Sequence, residues 1–245
     1  MRRTAFLALL SLLAMAPRAH ATETTQVYLD NGELNYVGYL DEDANKRLFA
    51  LYEGLADKPT VLSIRSKGGE VNTGMALGRW VRELRLDIKV MEFCLSSCAN
   101  YVFPAAQRKT VSNFALIGYH GGPSSGKVGF SASLQKMIEA MPPAERKAFV
   151  DDLYKDIHAD GEKERAFLRS LGVREDLSTL GQQARHQQRY DADPDILGWT
   201  YSPEGFARLG VHGITVINPP WKPGSTMGKA LFITIEPDPV PVQTP

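Results

Sequence analysis

The chain has 245 residues, the length of one domain or of one domain with small appendages. A hydrophobic fraction of 43% with 23% charged residues excludes wholesale disorder, and a formal net charge of zero offers no bulk attraction to nucleic acid. Two cysteines are too few for a disulfide-rich miniature fold or a four-cysteine zinc site.

The chain begins with Met1-Arg2-Arg3. A run from Ala5 to Ala16 follows in which only Ser11 is polar, and then the small-x-small sequence Ala19-His20-Ala21. This is the pattern of a secretory signal peptide cut after Ala21. These twelve residues in a helix span only about 18 Å of a roughly 30 Å hydrocarbon core, which disfavours a membrane anchor. Cleavage removes Arg2, Arg3 and Arg18, so 25 basic residues remain against 28 acidic ones. The expected location is periplasmic or secreted, an oxidising setting for both cysteines.

In the mature part, Asp30-Asn31-Gly32 between the apolar runs Val27–Leu29 and Leu34–Leu40 predicts a β-hairpin. Asp41-Glu42-Asp43 opens a helix, with acids where the helix dipole favours them. Its apolar face is Leu48, Phe49, Leu51, Tyr52 and Leu55, and Lys58-Pro59 ends it. Val61–Ile64 reads as a buried strand, Ser66-Lys67-Gly68-Gly69 as a tight turn, and Met75, Leu77, Trp80, Val81 and Leu84 as the buried face of a second helix. Ile88 to Phe93 is the next strand, Ser97 to about Phe103 a short helix, and Phe114 to Tyr119 a further strand. This strand–helix alternation predicts an α/β fold with a mostly parallel sheet. From Ser131 to Leu171 the pattern is helical, split at Met141-Pro142-Pro143. Ser202-Pro203-Glu204 opens a late helix ended by Gly210, and Gly213 to Ile217 is a final strand. The division expected is a signal peptide at 1–21, one domain at 22–235 and a proline-rich tail at 236–245.

Three segments carry candidate chemistry. Gly68-Gly69 sits between a strand and a helix, where positive φ and close approach to backbone N–H groups suit a developing anion. Cys94-Leu95-Ser96-Ser97-Cys98 occupies the next such junction, where a serine exposes its hydroxyl and the following N–H can bind an oxyanion. Each serine can equally be a helix cap. His120 ends the third strand in Gly118-Tyr119-His120-Gly121-Gly122, at the sheet edge where α/β proteins place ligands. Gly121 to Lys127 matches G-x-x-x-x-G-K, but Val128 follows in place of the magnesium-binding hydroxyl, so no nucleotide site is expected. No cofactor is implied, and no cluster of metal-ligating residues stands at the usual spacings.

The order of these segments resembles the proteolytic subunit of the Clp protease and its relatives in the Clp/crotonase superfamily. Ile64-Arg65-Ser66-Lys67-Gly68-Gly69 through Gly74-Met75 is similar to that family's oxyanion strand and helix, with Lys67 in place of a proline. Ser97-Cys98-Ala99-Asn100-Tyr101-Val102-Phe103-Pro104-Ala105-Ala106 is similar to its nucleophile helix, and Tyr201 through Val211 to its late helix. The resemblance extends to exported bacterial Clp-like proteins with a C-x-S-x-C elbow and unknown substrates. It implies a spiral of βα units and a serine peptidase with Ser97 as nucleophile and His120 as base. The resemblance further implies that Gly69 and Cys98 supply the oxyanion N–H groups and that Asp195 orients the histidine. In gapless register Gly198, not an acid, stands at the family's aspartate position. That departure gives the alternative of an inactive scaffold or partner-binding protein. Acyl-thioester chemistry of the crotonase kind is disfavoured by export away from coenzyme A. A peptide or protein substrate, no nucleic acid, no membrane anchor after signal cleavage and a homo-oligomer complete the expectations.

The register within the elbow is read from Cys98, Tyr101, Val102 and Ala105, an i, i+3, i+4, i+7 face that makes Ser97 the elbow residue and puts Ser96 on the strand end. Pro104 is expected to kink or end this helix. A Cys94–Cys98 disulfide requires a sharp elbow, because on a straight strand the two would lie about 13 Å apart. Two buried free thiols are the alternative.

Overall fold

The computed structural model describes residues 24–126 and 132–238. The expected signal peptide at 1–21, the last residues of the expected proline-rich tail, and Lys127 and Val128 lie outside them. The fold is mixed α/β, with seven α-helices among the described residues and sheets of mostly parallel strands.

Strands β1 (Gln26–Asp30) and β2 (Glu33–Val37) form the expected hairpin. Asn31 and Gly32 both take positive φ, at 49° and 77°, as a tight two-residue turn demands. Helix α1 (Glu42–Gly54) starts at Asp41, whose carboxylate accepts from the Ala44 N–H at 2.7 Å. After β3 (Val61–Arg65), the Glu70 side chain caps α2 (Val71–Glu83) by accepting from the N–H groups of Asn72 and Thr73.

The single strand expected from Ile88 to Phe93 is two: β4 (Asp87–Val90) and β5 (Phe93–Leu95), broken at Met91-Glu92. The same break recurs between β6 (Lys109–Ser112) and β7 (Leu116–Gly118). Each passage of the chain thus lays one strand in a large sheet and a short one in a second layer. The large sheet has the order β1-β2-β3-β4-β6-β9, with β9 at Ile214–Ile217, and every pair after the hairpin is parallel. In the second layer β5 pairs β7 in parallel, Ser66 bridges to Cys94, and Tyr119 bridges to Trp199 of β8 (Ile196–Tyr201). Strand β8 also pairs in parallel with β11 (Ala230–Ile235), which returns from a short strand β10 (Thr226–Met227).

Between β5 and β6 a π-helical turn, Cys98–Val102, runs into α3 (Phe103–Ala105). Pro104 has no N–H to give and its ring crowds the carbonyl four residues back. The turn before it widens, with Phe103 N–H donating five residues back to Cys98 O, and the helix stops one residue after the proline. The helical stretch after β7 is α4 (Ala132–Ala140) and α5 (Pro143–Leu171), divided at the expected prolines. A further helix, α6 (Ala184–Ala192), precedes β8, and α7 (Pro203–Arg208) is capped by Ser202 as expected. The first tail residues are held, since Asp238 pairs with Arg185 at 2.7 Å.

The core lies between the large sheet, α1, α2 and the π-helical segment. Leu34, Tyr36, Leu62, Ile64, Ile88 and Val90 meet Leu48, Met75, Leu77 and Val81. Tyr119, Trp199, Tyr201 and Phe206 extend the same core beside His120, which lies two residues beyond the end of β7. Among the described residues no helix is long and apolar enough to cross a membrane.

Candidate functional site

Two strand-to-helix junctions meet at the edge of the second layer. The first is Gly68-Gly69. Gly68 has φ of 92°, and a Cβ there would fall 2.6 Å from Ser96 Cβ, 2.7 Å from Leu95 O and 2.9 Å from Ser97 N. The glycine is required by both conformation and space, because the turn lies flat on the second junction. Leu40 N–H donates to Gly68 O at 2.8 Å. The C=O and N–H of a trans peptide point in opposite directions, so the Gly69 N–H faces away from Leu40, on the side of the cleft that Gly69 lines.

The second junction is the elbow itself. Ser96 has φ of 54°, a left-handed conformation that serine adopts only when its surroundings hold it. They do: Leu95 N–H donates to Ser66 O at 2.9 Å and Ser96 N–H to Gly118 O at 2.8 Å, while Ser96 O accepts from Asn100 N–H at 2.7 Å. Cys94 and Cys98 are joined by a disulfide with Cα atoms 5.3 Å apart, and both are fully buried. The elbow therefore turns as sharply as that bridge demands.

His120 Nε2 lies 2.7 Å from Ser96 Oγ. The partner of the histidine is thus Ser96 and not Ser97. The Ser97 side chain is turned inward, with the residue only 3% exposed, and its Oγ donates to Gly69 O at 2.8 Å. The register expected from the apolar face is off by one residue. Every residue from 97 to 106 is buried, so no face distinguishes the two serines. Cys98 is likewise one residue too deep, because the N–H that directly follows Ser96 is that of Ser97. This amide lies in the first turn of the helix, where N–H groups have no intrahelical acceptor.

His120 keeps an open edge toward solvent. The protein packed around the ring lowers its pKa below that of an ordinary histidine by desolvation, and a contact with its own main chain opposes this more weakly. The neutral imidazole is favoured at neutral pH. With Nε2 as the unprotonated nitrogen, the Ser96 hydroxyl donates to it.

Asp195 does not join this pair. It is exposed on the loop before β8, and its carboxylate makes no hydrogen bond or ion pair among the described residues. Its N–H donates to Asp193 Oδ1 and its carbonyl accepts from Leu231 N–H. Gly198 does approach the histidine strand, but a Cβ there would fall 2.1 Å from Tyr119 O. The backbone leaves no room for an acidic side chain at that point.

Asn100 was not among the expected site residues. It is buried on the π-helical turn, and its Nδ2 donates to Gly121 O at 3.0 Å, tying the elbow helix to the residue after His120. The sequence signal available was an asparagine on an otherwise apolar helix. Together Gly69, Val71, Ser96, Tyr101, His120 and Ile157 wall a cleft of about 480 Å³, with Asp160 among its remaining lining residues. A second cavity of about 220 Å³ lies on another side of His120, among Gln187, Tyr190, Leu197 and Trp199. Among the described residues no group of three or more His, Cys, Asp or Glu side chains is arranged to hold a metal.

No protein-family model matches the chain, and no curated protein shows significant similarity to it.

Proposed function

We propose that this chain is an exported serine hydrolase, a peptidase on a Clp/crotonase-like spiral of βα units, working with a Ser96–His120 dyad. The observation that carries the reading is the 2.7 Å contact between His120 Nε2 and the hydroxyl of a serine held at positive φ on a strand-to-helix elbow. A capping serine needs neither feature. The recurrence of one long and one short strand per βα passage supports the spiral, and the disulfide suits an exported protein.

In this reading the Ser96 hydroxyl attacks a substrate carbonyl carbon in the cleft while His120 takes its proton. The carbonyl electrons move onto oxygen, which the N–H groups of Gly69 and Ser97 stabilise. Collapse of the tetrahedral species expels the leaving amine, which receives the proton from His120, and an acyl-serine remains. Water then attacks that ester with His120 again as base. Ser97 has a structural part: by holding Gly69 O it fixes the turn that presents the Gly69 N–H.

A fluorophosphonate probe followed by peptide mapping tests the assignment. Label should sit on Ser96, vanish in Ser96→Ala and persist in Ser97→Ala. Label on Ser97 would overturn it.

A non-catalytic scaffold is the second reading, favoured by the lack of a carboxylate bonded to His120 among the described residues. It requires that the folded protein fail to label at all.

A further inference from the structure

Helix α5 carries a carboxylate that the dyad chemistry does not use. Glu164 is 0% exposed and forms no ion pair among the described residues. A buried carboxylate without a cation is costly unless several donors surround it, so its retention needs a reason. Its two oxygens go to two different elements. Oε1 accepts from Tyr101 OH at 2.8 Å, and Oε2 accepts from Ser124 N–H at 2.9 Å. Tyr101 stands on the π-helical turn five residues after Ser96, and Ser124 four residues after His120. A Cβ at Gly122 would fall 2.4 and 2.7 Å from the same two oxygens, so the His120 loop lies directly on the carboxylate.

The neighbours on α5 reinforce this contact. Arg165 Nη1 donates to Ser124 O at 3.1 Å, so adjacent side chains grip both ends of one residue. A Cβ at Gly161 would fall 3.0 Å from Pro123 O and 3.1 Å from Ser124 Cα, which brings the helix flush against the loop. Phe167 meets the Tyr101 ring edge-on at 5.9 Å.

The geometry points to Glu164 as the positioning residue of the dyad: from α5 its carboxylate clamps the serine-bearing helix and the histidine-bearing loop to each other and so fixes the Ser96–His120 distance. This rests on the dyad reading above. Glu164 acts through Tyr101 and Ser124 and touches neither reacting atom.

Glutamine can serve the same two partners, accepting from Ser124 N–H with Oε1 and donating to the Tyr101 oxygen with Nε2. Leucine can serve neither. The test therefore compares Glu164→Gln and Glu164→Leu in the full mature chain, with two readouts. The first is the second-order rate of fluorophosphonate labelling across pH. The expected result is a fall of about 10- to 100-fold for Glu164→Leu, as for a misplacement near 1 Å, with Glu164→Gln within about threefold of the parent. The midpoint of the pH profile should not move in Glu164→Gln. A merely structural residue would lower the melting temperature in Glu164→Leu and leave labelling of the folded fraction unchanged, and that result would overturn the proposal. The second readout is the ¹⁵N shift pair of the His120 ring, which reports its tautomer and hydrogen bond without any turnover. Glu164→Leu should move it toward a solvated histidine and Glu164→Gln should not. If the parent fails to label but the ring still responds to Glu164→Leu, the hydrolase reading falls and the clamp stands. If Glu164→Leu leaves the ring shifts unchanged, the clamp falls whatever the parent does.

Discussion

Replacing Gly68 by alanine should damage the elbow without touching any reacting atom. Two costs combine. An alanine at φ of 92° is held in a region that L-residues avoid, at about 1–2 kcal/mol. Its Cβ also falls within 2.6–2.9 Å of Ser96 Cβ, Leu95 O and Ser97 N, two of them backbone atoms of an elbow held by the Leu95 N–H to Ser66 O and Ser96 N–H to Gly118 O bonds. Overpacking of that kind adds about 1–3 kcal/mol, for a sum of about 2–5 kcal/mol. Gly32→Ala supplies the control. Its φ is 77°, but nothing lies within 4 Å of the added Cβ, so only the conformational cost applies. Urea unfolding of both variants isolates the crowding term as their difference, and Gly68→Ala should also slow fluorophosphonate labelling by moving Ser97 N–H away from Gly69 N–H. Equal destabilisation by the two alanines, with labelling unaffected in both, would refute the contact between the glycine turn and the elbow.

Labelling by the probe should rise with pH to a plateau whose acid midpoint lies below 6.5, because desolvation lowers the His120 pKa and the neutral ring is the active base. A midpoint above 6.5, measured from labelling rates between pH 4 and 8, would contradict this. Lys109 is buried with its Nζ on the carbonyls of Ala106 and His212, and burial pushes its pKa from 10.5 down to about 8. Between those values the unfolded chain binds more protons than the folded one, so this residue's contribution to stability should rise with pH, by up to about 3 kcal/mol. Unfolding free energies of the parent and of Lys109→Met at pH 7 and pH 10 check this, since a constant difference between the two proteins would exclude the effect. Reduction of the Cys94–Cys98 bridge opens a loop with a sequence separation of only 4, for which chain entropy gives about 2 kcal/mol. The melting temperature should therefore drop by several degrees, and labelling should slow by more than the unfolded fraction accounts for.

Much of the fold was written in local signals. Asn31-Gly32, the acids at Asp41 to Asp43, the prolines at 142–143 and Ser202-Pro203 each mark an element end by a single mechanism, and each lies where that mechanism puts it. Strand β6 did not announce itself, because Lys109-Thr110-Val111-Ser112 reads as polar surface. Lysine is tolerated there only because its ammonium reaches two carbonyls at the helix end and the β9 approach, which is long-range information. Strands β10 and β11 are similar cases, β11 set by pairing with β8 and β10 by pairing with β11 more than by their own patterns. At the site, the Cys94–Cys98 bridge was legible from residue type and order, and so was the approach of the Gly68-Gly69 turn and of His120 to the elbow. The choice between Ser96 and Ser97 was not. A periodic face fixes register only when one side of a helix is exposed, and this helix is buried all round. The π-turn forced near Pro104 also breaks the 3.6-residue period on which that argument depends.

The want of an acid behind His120 has a structural counterpart. In a triad the acid holds the imidazole in one orientation. Here the backbone on both sides of the histidine is held instead. Tyr119 and Trp199 exchange both main-chain hydrogen bonds at 2.8 Å, and the Tyr119 ring packs among Trp199, Tyr201 and Phe206. Trp199 Nε1 donates to Tyr201 OH, which donates in turn to Leu177 O at 2.6 Å, so the polar tips of Trp199 and Tyr201 are satisfied. On the other side Gly121 O is bound by Asn100 and Ser124 by Glu164. Such close strand pairing requires glycine at position 198, where a Cβ would strike Tyr119 O. The same packing that fixes the histidine backbone therefore removes the place from which a carboxylate would reach the ring. In the proposed dyad a base oriented by its backbone lacks the charge that stabilises an imidazolium, consistent with a histidine pKa lowered first by desolvation. Under the proposed reading, the chemistry open to it is attack on a carbonyl by a serine whose base loses its proton at lower pH than an ordinary histidine.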